Sequence, residues 1–324
     1  MSQLEAFCIT IGIEVLVAMG MTTLISVPSI ARVLLAVVLG TVLTHPLLWL
    51  VGPAVLIMLL LLVYPLLYTL WLSLHKWYGS HATPWEWVGL DNYIRTIGRN
   101  SAFQRALVRT TLFTIATVAG SVVLGLGIAL LIDRPFPGRS VVIALLLVPI
   151  VSTPVAVSMT WKYLLQFEGP LNALMAALGL GHQNWLGEAL VVPTLVGVDI
   201  SRWTALVALV LTAGLASLPT EPLEAAKIDG ASNRQLIRYI TLPLLQPFIG
   251  AAVMLRVIDA LKTFDEIQVI SGGGPAGASE TLYMLGYKLS FTFLNFGAAA
   301  AVIIFMFLYI MVTSIGLARW RRGH

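Results

Sequence analysis

The sequence predicts an all-α polytopic membrane protein, on the evidence of its composition and of the length and pattern of its apolar runs. Of its 324 residues, 58% are hydrophobic and only 10% are charged, whereas a soluble domain carries about a quarter charged residues. The runs are long enough to cross roughly 30 Å of hydrocarbon as helices. They are continuously apolar rather than alternating, which is the pattern of helices and not of membrane strands. Because backbone groups cannot stay unpaired in lipid, we expect helices throughout.

Six core spans are predicted from these apolar runs. They cover residues 48–74, 106–132, 141–164, 193–217, 244–264 and 293–318. Each is long enough, at 1.5 Å per residue, to cross the hydrocarbon layer as a single helix.

The first 47 residues form an apolar extension. Residues 8–27 are long enough to cross a bilayer, whereas residues 31–44 are short and are followed by the helix breaker Pro46. The extension contains either an added helical hairpin, which gives eight spans in total, or an interfacial segment followed by one span; we expect the hairpin. The predicted domains are the extension at 1–47, the transmembrane domain at 48–318 and a basic cytoplasmic tail at 319–324.

The distribution of lysine and arginine favours one orientation in the membrane. If the span at 48–74 runs from inside to outside, eight basic residues lie in the inner loops and tail and six in the outer loops. Cytoplasmic loops normally carry such an excess of basic residues. The tail, with Arg319, Arg321 and Arg322, contributes most of this bias. The segment that follows the span at 193–217 is therefore expected in the cytoplasm.

The outer loop at 75–105 is rich in aromatic residues, among them Trp77, Trp85 and Trp87. Aromatic side chains at the end of a span commonly anchor it at the membrane interface. Contact with an external partner is the alternative interpretation.

A polar segment at 218–243 interrupts the apolar pattern between two late spans. Its charged residues are Glu221, Glu224, Lys227, Asp229, Arg234 and Arg238. A membrane protein has little reason to place a charged, glycine-containing element between two spans unless a partner outside the bilayer recognises it. Two alanines keep one face small, so that another protein can approach closely, and the carboxylates of Glu224 and Asp229 offer hydrogen-bond acceptors to it.

The same segment is predicted to form two helices joined by a sharp turn. Thr220 can cap the first helix. Gly230 is expected to end it in the left-handed conformation that glycine adopts at little cost. Ser232 then starts a second helix, which leads to Pro243 and the next span.

The polar segment resembles the cytoplasmic coupling loop of the permease subunits of ABC importers. The similarity lies in Glu224-Ala225-Ala226, three residues, Gly230, nine residues and Ile240-Thr241-Leu242-Pro243. From about residue 50 to 318 the chain also resembles carbohydrate-type permeases of bacterial binding-protein-dependent importers, the group of the maltose and glycerol-phosphate systems. The residues concerned are Tyr64-Pro65, Gly89-Leu90-Asp91-Asn92-Tyr93, Asp133-Arg134-Pro135, Ala213-Gly214-Leu215 and Gly272-Gly273-Gly274-Pro275. The resemblance implies a type I ABC importer transmembrane domain, with six core helices plus N-terminal additions.

The resemblance also implies partners, a location and a role for the polar segment. Coupling to the ATPase would involve Glu224, Ala225, Ala226, Asp229, Gly230, Leu242 and Pro243. The implied partners are a second homologous permease subunit, an ATP-binding cassette ATPase dimer, an extracytoplasmic solute-binding protein and membrane lipid, in the bacterial cytoplasmic (inner) membrane. The implied solute is a sugar, polyol or sugar derivative. No cofactor is expected on this chain, because it has no Walker motif; ATP and Mg belong to the partner ATPase.

Ionisable residues inside spans are functional candidates, because a charge in the membrane is costly. Asp199, Arg202 and Trp203 lie in the span at 193–217, and Asp259 lies in the span at 244–264. Asp199 and Arg202 share a helix face, so they either neutralise each other or line a pathway. Trp203 and Tyr283 offer aromatic faces for a sugar ring. These five residues are the candidates for a translocation pathway.

The residues of the sequence leave three candidate functions. The first is the ABC importer subunit. The second is an ion-coupled secondary transporter, supported by Asp199 and Asp259, but it leaves the polar segment unexplained, and the chain has no evident internal repeat. The third is a membrane-embedded enzyme, which needs a catalytic cluster that the sequence does not offer. The five histidines are scattered, so no metal site is expected, and the net charge of +4 is spread over loops, so no nucleic-acid partner is expected.

Overall fold

The computed structural model describes residues 46–79 and 85–322, with side chains over 52–79 and 85–319. The chain divides into two units, Met1–Thr69 and Leu70–His324. The hairpin predicted within the N-terminal extension lies outside the described residues, apart from the first two residues of a helix that starts at Pro46. The end of the basic tail, residues 323–324, lies outside them as well.

The described part of the first unit is helical. It comprises α1 (Pro46–Met58), a π-helical stretch (Leu59–Val63) and the start of α2 (Tyr64–Ser73), which continues into the second unit. The Gly52–Ser73 stretch has a mean hydropathy of 2.4 and is long enough to cross a membrane. Its large apolar side chains from Val55 to Val63 are exposed in the isolated chain, as expected of a helix whose surroundings are lipid or protein.

The second unit is almost entirely helical. Its helices are α3 (Asp91–Tyr93), α4 (Ser101–Ile132), α5 (Arg139–Val151), α6 (Pro154–Leu164), α7 (Pro170–Ala177), α8 (Val191–Ala216), α9 (Glu221–Ile228), α10 (Asn233–Leu236), α11 (Leu242–Leu261), α12 (Asp265–Ile270), α13 (Leu282–Tyr287) and α14 (Phe296–Arg322). Three π-helical turns occur at Ile94–Gly98, Ile237–Thr241 and Lys288–Thr292. The two short strands β1 (His75–Lys76) and β2 (Glu86–Trp87) pair antiparallel, with His75 opposite Trp87.

Five helical stretches among the described residues are long and apolar enough to cross a membrane. They are Gly52–Ser73, Ser101–Ile132, Val191–Ala216, Asn233–Leu261 and Phe296–Arg319. Each overlaps a predicted core span, so the all-α polytopic architecture is confirmed. At the fifth predicted span, 244–264, the helical stretch runs from Asn233 to Leu261, so the helix begins before the apolar run.

The predicted single span at 141–164 is wrong in one respect, since it consists of two helices that meet at an angle of 97°. The break lies at Ser152 and Thr153, which are both extended, with ψ angles of 143° and 141°. Thr153 precedes Pro154, and a residue before proline is disfavoured in the helical conformation. The pair α5 and α6 is therefore either a broken span or a re-entrant loop.

The core of the second unit is built on close packing of α4 against α8, with α11 against both. Glycine makes this approach feasible. A Cβ atom added at Gly125 on α4 would lie 2.6 Å from Val207 Cγ1 on α8, and one at Gly214 on α8 would lie 2.6 Å from Phe248 on α11. Small residues at such crossings allow two helix backbones to approach in a membrane.

The segment between α6 and α8 is organised around Asn172, which is fully buried. Its amide nitrogen donates to the carbonyl oxygens of Phe167 and Gln183, at 2.9 and 2.8 Å. Its amide oxygen accepts from the backbone N–H of Gln183, at 3.1 Å, and from Trp185 Nε1, at 2.9 Å. All donors and acceptors of the side-chain amide are therefore used.

The predicted aromatic loop forms a ring cluster around the β1–β2 pair. The ring of Trp85 lies 4.7 Å from that of Trp71 and 5.2 Å from that of Trp77, and Trp77 stacks on Phe296 at 4.9 Å. The side chains of Trp85 and Trp87 remain exposed. The cluster is consistent with both interpretations of the loop, the interfacial anchor and the partner contact.

Candidate coupling segment and intramembrane cavity

The polar segment folds as predicted into a short helix, a turn and a second helix. The first helix is α9, with Pro222 near its start and Glu221 and Glu224 in its first turn. Acidic residues there complement the positive end of the helix dipole. The capping hydrogen bond predicted for Thr220 is wrong: Thr220 precedes the helix but has φ −81° and ψ −27°, and its side chain does not cap it. N-cap side chains act from the extended conformation, which Thr220 does not adopt.

Gly230 ends α9 in the predicted left-handed conformation, with φ +82°. The backbone N–H of Gly230 donates to the carbonyl oxygen of Lys227, and that of Ala231 donates to the carbonyl oxygen of Ala226. These two bonds form a Schellman motif, which satisfies carbonyls at the helix end. A Cβ atom at Gly230 would meet nothing within 4 Å. Glycine is therefore required here by backbone conformation rather than by space.

Ser232 starts the second helix as predicted. Its hydroxyl accepts from the backbone N–H of Gln235 at 3.4 Å, and Gln235 Oε1 accepts from the backbone N–H of Ser232 at 2.8 Å. This reciprocal pair is a capping box. The helix does not stop at Pro243: Asn233–Leu261 is one continuous helical stretch of 29 residues. Leu242 and Pro243 lie inside it, directly after the π-helical turn at Ile237–Thr241.

Most of the surface of α9 is exposed within the described residues. Glu224, Ala225, Asp229 and Gly230 are exposed, and Ala226 is half-buried. Neither the Glu224 nor the Asp229 carboxylate makes a hydrogen bond or ion pair in the described part of the chain. At the end of the helix Ile228 is 87% exposed, an unusual position for a large aliphatic side chain. This surface has the small residues, acceptors and apolar group that a protein partner needs.

A second candidate site is a cavity of about 360 Å³ in the second unit. It lies among α6, α8, α11, α12 and α13. Its lining residues are Pro154, Arg202, Trp203, Asp259, Lys262, Thr263, Phe264, Asp265, Glu266 and Tyr283. Four of the five predicted pathway residues, Arg202, Trp203, Asp259 and Tyr283, are thus brought together. Asp199, the fifth, is fully buried and lies outside this lining.

Arg256 joins three helices behind the cavity. Its guanidinium donates to Asp199 on α8, to Asp259 at 3.1 Å on its own helix and to Ser121 Oγ at 3.3 Å on α4. The side chain is 1% exposed. A buried cation must be paired and hydrogen-bonded, and Arg256 is both.

The predicted pairing of Asp199 with Arg202 is wrong. Arg202 Nη1 donates to Glu266 Oε1 on α12 at 2.9 Å, while Asp199 pairs with Arg256. The guanidinium carbons of Arg202 and Arg256 both lie 5.0 Å from the centre of the Trp203 ring, as in cation–π contacts. Burial raises the pKa of the Glu266 carboxyl, and the hydrogen bond and charge of Arg202 oppose that rise.

Glu266 and Phe264 are cavity residues that were absent from the predicted site. The Phe264 ring lies 5.2 Å from that of Tyr283 and 5.0 Å from that of Tyr287. Phe264 is the last residue of the predicted fifth span and Glu266 lies two residues beyond it, so the sequence signal was their proximity to Asp259. Within the described residues no group of three or more His, Cys, Asp or Glu side chains could hold a metal ion.

Comparison with known proteins assigns the chain to a family. Residues 136–320 match the family described as binding-protein-dependent transport system inner membrane component. A trehalose/maltose transport system permease protein of Thermococcus litoralis is 32% identical over 275 residues, which are 83% of this chain and 92% of the relative. A sulfoquinovosyl glycerol transport system permease protein of Agrobacterium fabrum is 32% identical over 83% of this chain and 88% of the relative.

Solved structures show the same fold at lower identity. The crystal structure of a bacterial ABC transporter that imports the acidic polysaccharide alginate has a chain with a TM-score of 0.74 and 21% identity. The match covers 85% of this chain and 96% of that one. The alginate transporter in complex with a periplasmic protein bound to an alginate pentasaccharide gives a TM-score of 0.75 at 20% identity, over 86% and 94% of the two chains. The fold is that of an ABC importer transmembrane domain.

The family match, the relatives and the fold agree with the membrane-spanning helices described above. They favour binding-protein-dependent transport over ion-coupled secondary transport. The chain belongs to the inner membrane permease components of binding-protein-dependent ABC importers.

Proposed function

We propose that this chain is the permease subunit of an ATP-driven importer for a sugar, polyol or sugar derivative. The family match is the observation that carries this proposal. The names of relatives support the solute class, since they include permeases for trehalose and maltose and for sulfoquinovosyl glycerol. Coupling would take place through the Glu224–Gly230 loop, which lies in the cytoplasm in the orientation that basic residues favour.

The partners are part of the same proposal. ATP and Mg would bind to an ATP-binding cassette dimer, because this chain has no Walker motif. A second homologous permease would complete the transmembrane assembly within membrane lipid, and an extracytoplasmic protein would deliver the solute. The alginate transporter in complex with its periplasmic protein supports this last partner. Residues 1–47 would be an N-terminal addition to the domain at 48–318, which contains the coupling segment at 218–243.

The exposed α9 surface supports the coupling role. Glu224, Ala225, Ala226, Asp229 and Gly230 lie on or directly after a short helix, and the carboxylates of Glu224 and Asp229 have no partner among the residues that the structure describes. The fixed turn at Gly230 leads into the helix that contains Leu242 and Pro243 and continues to the cavity. An ATPase cleft that binds α9 would therefore act on the base of a helix that reaches the proposed pathway.

The experiment is purification of the tagged chain from its native membrane in mild detergent, with mass spectrometry of the proteins that accompany it. We expect an ATPase and a second permease. Glu224→Lys should release the ATPase, because it inverts an exposed charge at the proposed contact, while the chain stays inserted in the membrane. Glu188→Lys, an equally exposed charge reversal between α7 and α8, is the matched control and should retain the ATPase.

The outcome separates the candidate functions. Loss of the ATPase in Glu224→Lys alone supports the coupling role. Retention of the ATPase in both variants, with normal transport, would refute it. A chain that purifies alone and moves solute in liposomes without ATP would overturn the importer proposal itself.

A further inference from the structure

The cations around the cavity are already paired with carboxylates of this chain. Arg202 is bonded to Glu266 at 2.9 Å, and Arg256, behind the wall, is bonded to Asp199 and Asp259. Lys262 lies 3.8 Å from Asp259. An anionic group on a solute would have to compete with an internal carboxylate for each of these cations.

One carboxylate on the cavity wall has no such compensation. Asp265 is exposed and makes no hydrogen bond or ion pair within the described residues, although it lines the cavity. Glu266 Oε2, also on the wall, is buried without a hydrogen-bond partner in the same part of the chain. With every group ionised, the wall carries two cations, Arg202 and Lys262, and three anions, Asp259, Asp265 and Glu266. The surplus at the wall is therefore one negative charge.

The remaining lining suits an uncharged sugar. Trp203, Phe264 and Tyr283 present aromatic surface to the cavity, and aromatic rings provide large apolar faces for ligand contact. A sugar hydroxyl can donate to a carboxylate such as that of Asp265 and accept from an ammonium such as that of Lys262. A carboxylate, sulfonate or phosphate on the solute can only accept, so it has no hydrogen bond to offer Asp265.

We propose that this cavity admits uncharged polyhydroxylated solutes and rejects sugars that carry a carboxylate, sulfonate or phosphate group. The surplus negative charge at the wall would repel a second anion, because like charges that face each other in a binding site weaken binding. The inference rests on the proposed function, since it requires the cavity to be part of the solute pathway. It restricts that function, because sugar permeases with the same fold include an importer of the acidic polysaccharide alginate.

The test measures solute binding to the purified, complete importer without its binding protein, so that the permease alone selects. The probes are trehalose and a trehalose in which one C6 hydroxymethyl group is oxidised to a carboxylate. Binding is measured by equilibrium dialysis of the radiolabelled probes at low salt. We expect the anionic probe to bind at least about tenfold more weakly than the neutral one.

Two variants test the origin of that difference. Asp265→Asn removes the uncompensated charge and keeps the shape of the side chain, so the ratio of the two dissociation constants should fall several-fold. Glu168→Gln removes an exposed carboxylate that is not part of the cavity lining, and it should leave the ratio unchanged. Because Asp265 is exposed and has no partner in the described part of the chain, its replacement should not disturb folding.

Each outcome has one meaning. A discrimination that falls in Asp265→Asn alone supports the inference. A discrimination that is unchanged in Asp265→Asn, or failure of both probes to bind, overturns it. Equal binding of the two probes, or tighter binding of the anionic one, overturns charge selection while it leaves the pathway in place. If Trp203→Ala leaves the affinity for the neutral probe unchanged, the solute does not bind in this cavity, and the inference is overturned. The ATPase co-purification above does not depend on any of these results, so failure of the importer proposal is recognised separately.

Discussion

Arg256 on α11 is hydrogen-bonded to Asp199 on α8, 57 residues earlier in the chain, and both side chains are almost completely buried. The same guanidinium bonds to Ser121 on α4. The side chain of Arg256 therefore links three membrane-spanning helices, α4, α8 and α11. A buried ion pair is weak evidence for stability, because removing both charges from water is costly, but loss of one partner leaves the other charge uncompensated.

Arg256→Met is expected to lower the free energy of unfolding by about 3–5 kcal/mol, since it leaves the Asp199 carboxylate buried and unpaired. The double variant Asp199→Leu with Arg256→Met should recover much of this loss, because neither charge then remains. Thermal unfolding of the detergent-solubilised chain, monitored by size-exclusion chromatography, compares the stability of the single and the double variant with that of the unaltered chain.

Lys262→Met is the control for this prediction. Lys262 is 55% exposed and 3.8 Å from Asp259, so its loss should cost no more than about 1 kcal/mol. A double variant that is less stable than Arg256→Met alone would contradict the explanation by an uncompensated charge.

Gly230→Ala is expected to weaken coupling between ATP hydrolysis and transport. A residue with a Cβ atom pays roughly 1–2 kcal/mol to hold the left-handed conformation, so the turn after α9 would be lost or displaced. Gly230→Asn should retain more activity, since asparagine tolerates this conformation better. The measurement is the solute-stimulated ATPase rate of the reconstituted importer.

Gly138→Ala provides the matched control for Gly230→Ala. Gly138 has φ +87°, and a Cβ atom there also meets nothing within 4 Å, but it precedes α5 rather than following α9. Its replacement should carry similar local strain and leave coupling intact. Equal loss of coupling in both alanine variants would count against a specific role for the turn at Gly230.

Asn172→Asp is expected to loosen the segment between α6 and α8. The carboxylate keeps the two acceptor contacts but can no longer donate to the carbonyl oxygens of Phe167 and Gln183. Loss of hydrogen bonds by a buried polar side chain costs about 1–3 kcal/mol. Hydrogen exchange of amides 167–185 should accelerate. Asn184→Asp, at an exposed neighbouring position, should not change these rates; similar acceleration in both variants would refute the assignment.

Gly125→Ala is expected to destabilise the α4–α8 crossing, because its Cβ atom would lie 2.6 Å from Val207 Cγ1 and 3.1 Å from a backbone nitrogen. Overpacking of this kind costs about 1–3 kcal/mol. Gly127→Ala, two residues further along α4, has nothing within 4 Å of the added atom and should be neutral or slightly stabilising. Melting temperatures of the two variants test the difference; unchanged stability in Gly125→Ala would show that the helices can separate freely.

Local signals predicted local structure well. The left-handed turn at Gly230 and the helix start at Ser232 both depend on residues within five positions of each other, and both are confirmed. The positions of the long helices also follow from apolar runs, whereas the early start of one of them at Asn233 does not. The break at Ser152–Thr153 was missed although Pro149 and Pro154 flank it, because hydropathy is the same for a straight and a bent span.

The charge pairing could not be predicted in the same way. Spacing in sequence suggested that Asp199 pairs with Arg202, three residues away. The partners are instead Arg256 and Glu266, 57 and 64 residues away. Helix spacing describes one face of one helix, whereas these pairs depend on how α8, α11 and α12 pack. The predicted residues Arg202 and Asp259 nevertheless converge on the cavity, because charges in apolar helices avoid lipid and face the interior.

The uninterrupted helix from Asn233 to Leu261 has a mechanical consequence. Its 29 residues span about 43 Å at 1.5 Å per residue. One end lies three residues after Gly230, and the other carries Arg256 and Asp259. If this helix tilts as a rigid body, a tilt of about 10° around its base displaces its far end by about 7 Å over this length. Thermodynamic linkage between two sites is reciprocal. A solute that binds near Asp259 and favours one tilt of this helix would therefore also favour the matching position of the segment that follows Gly230.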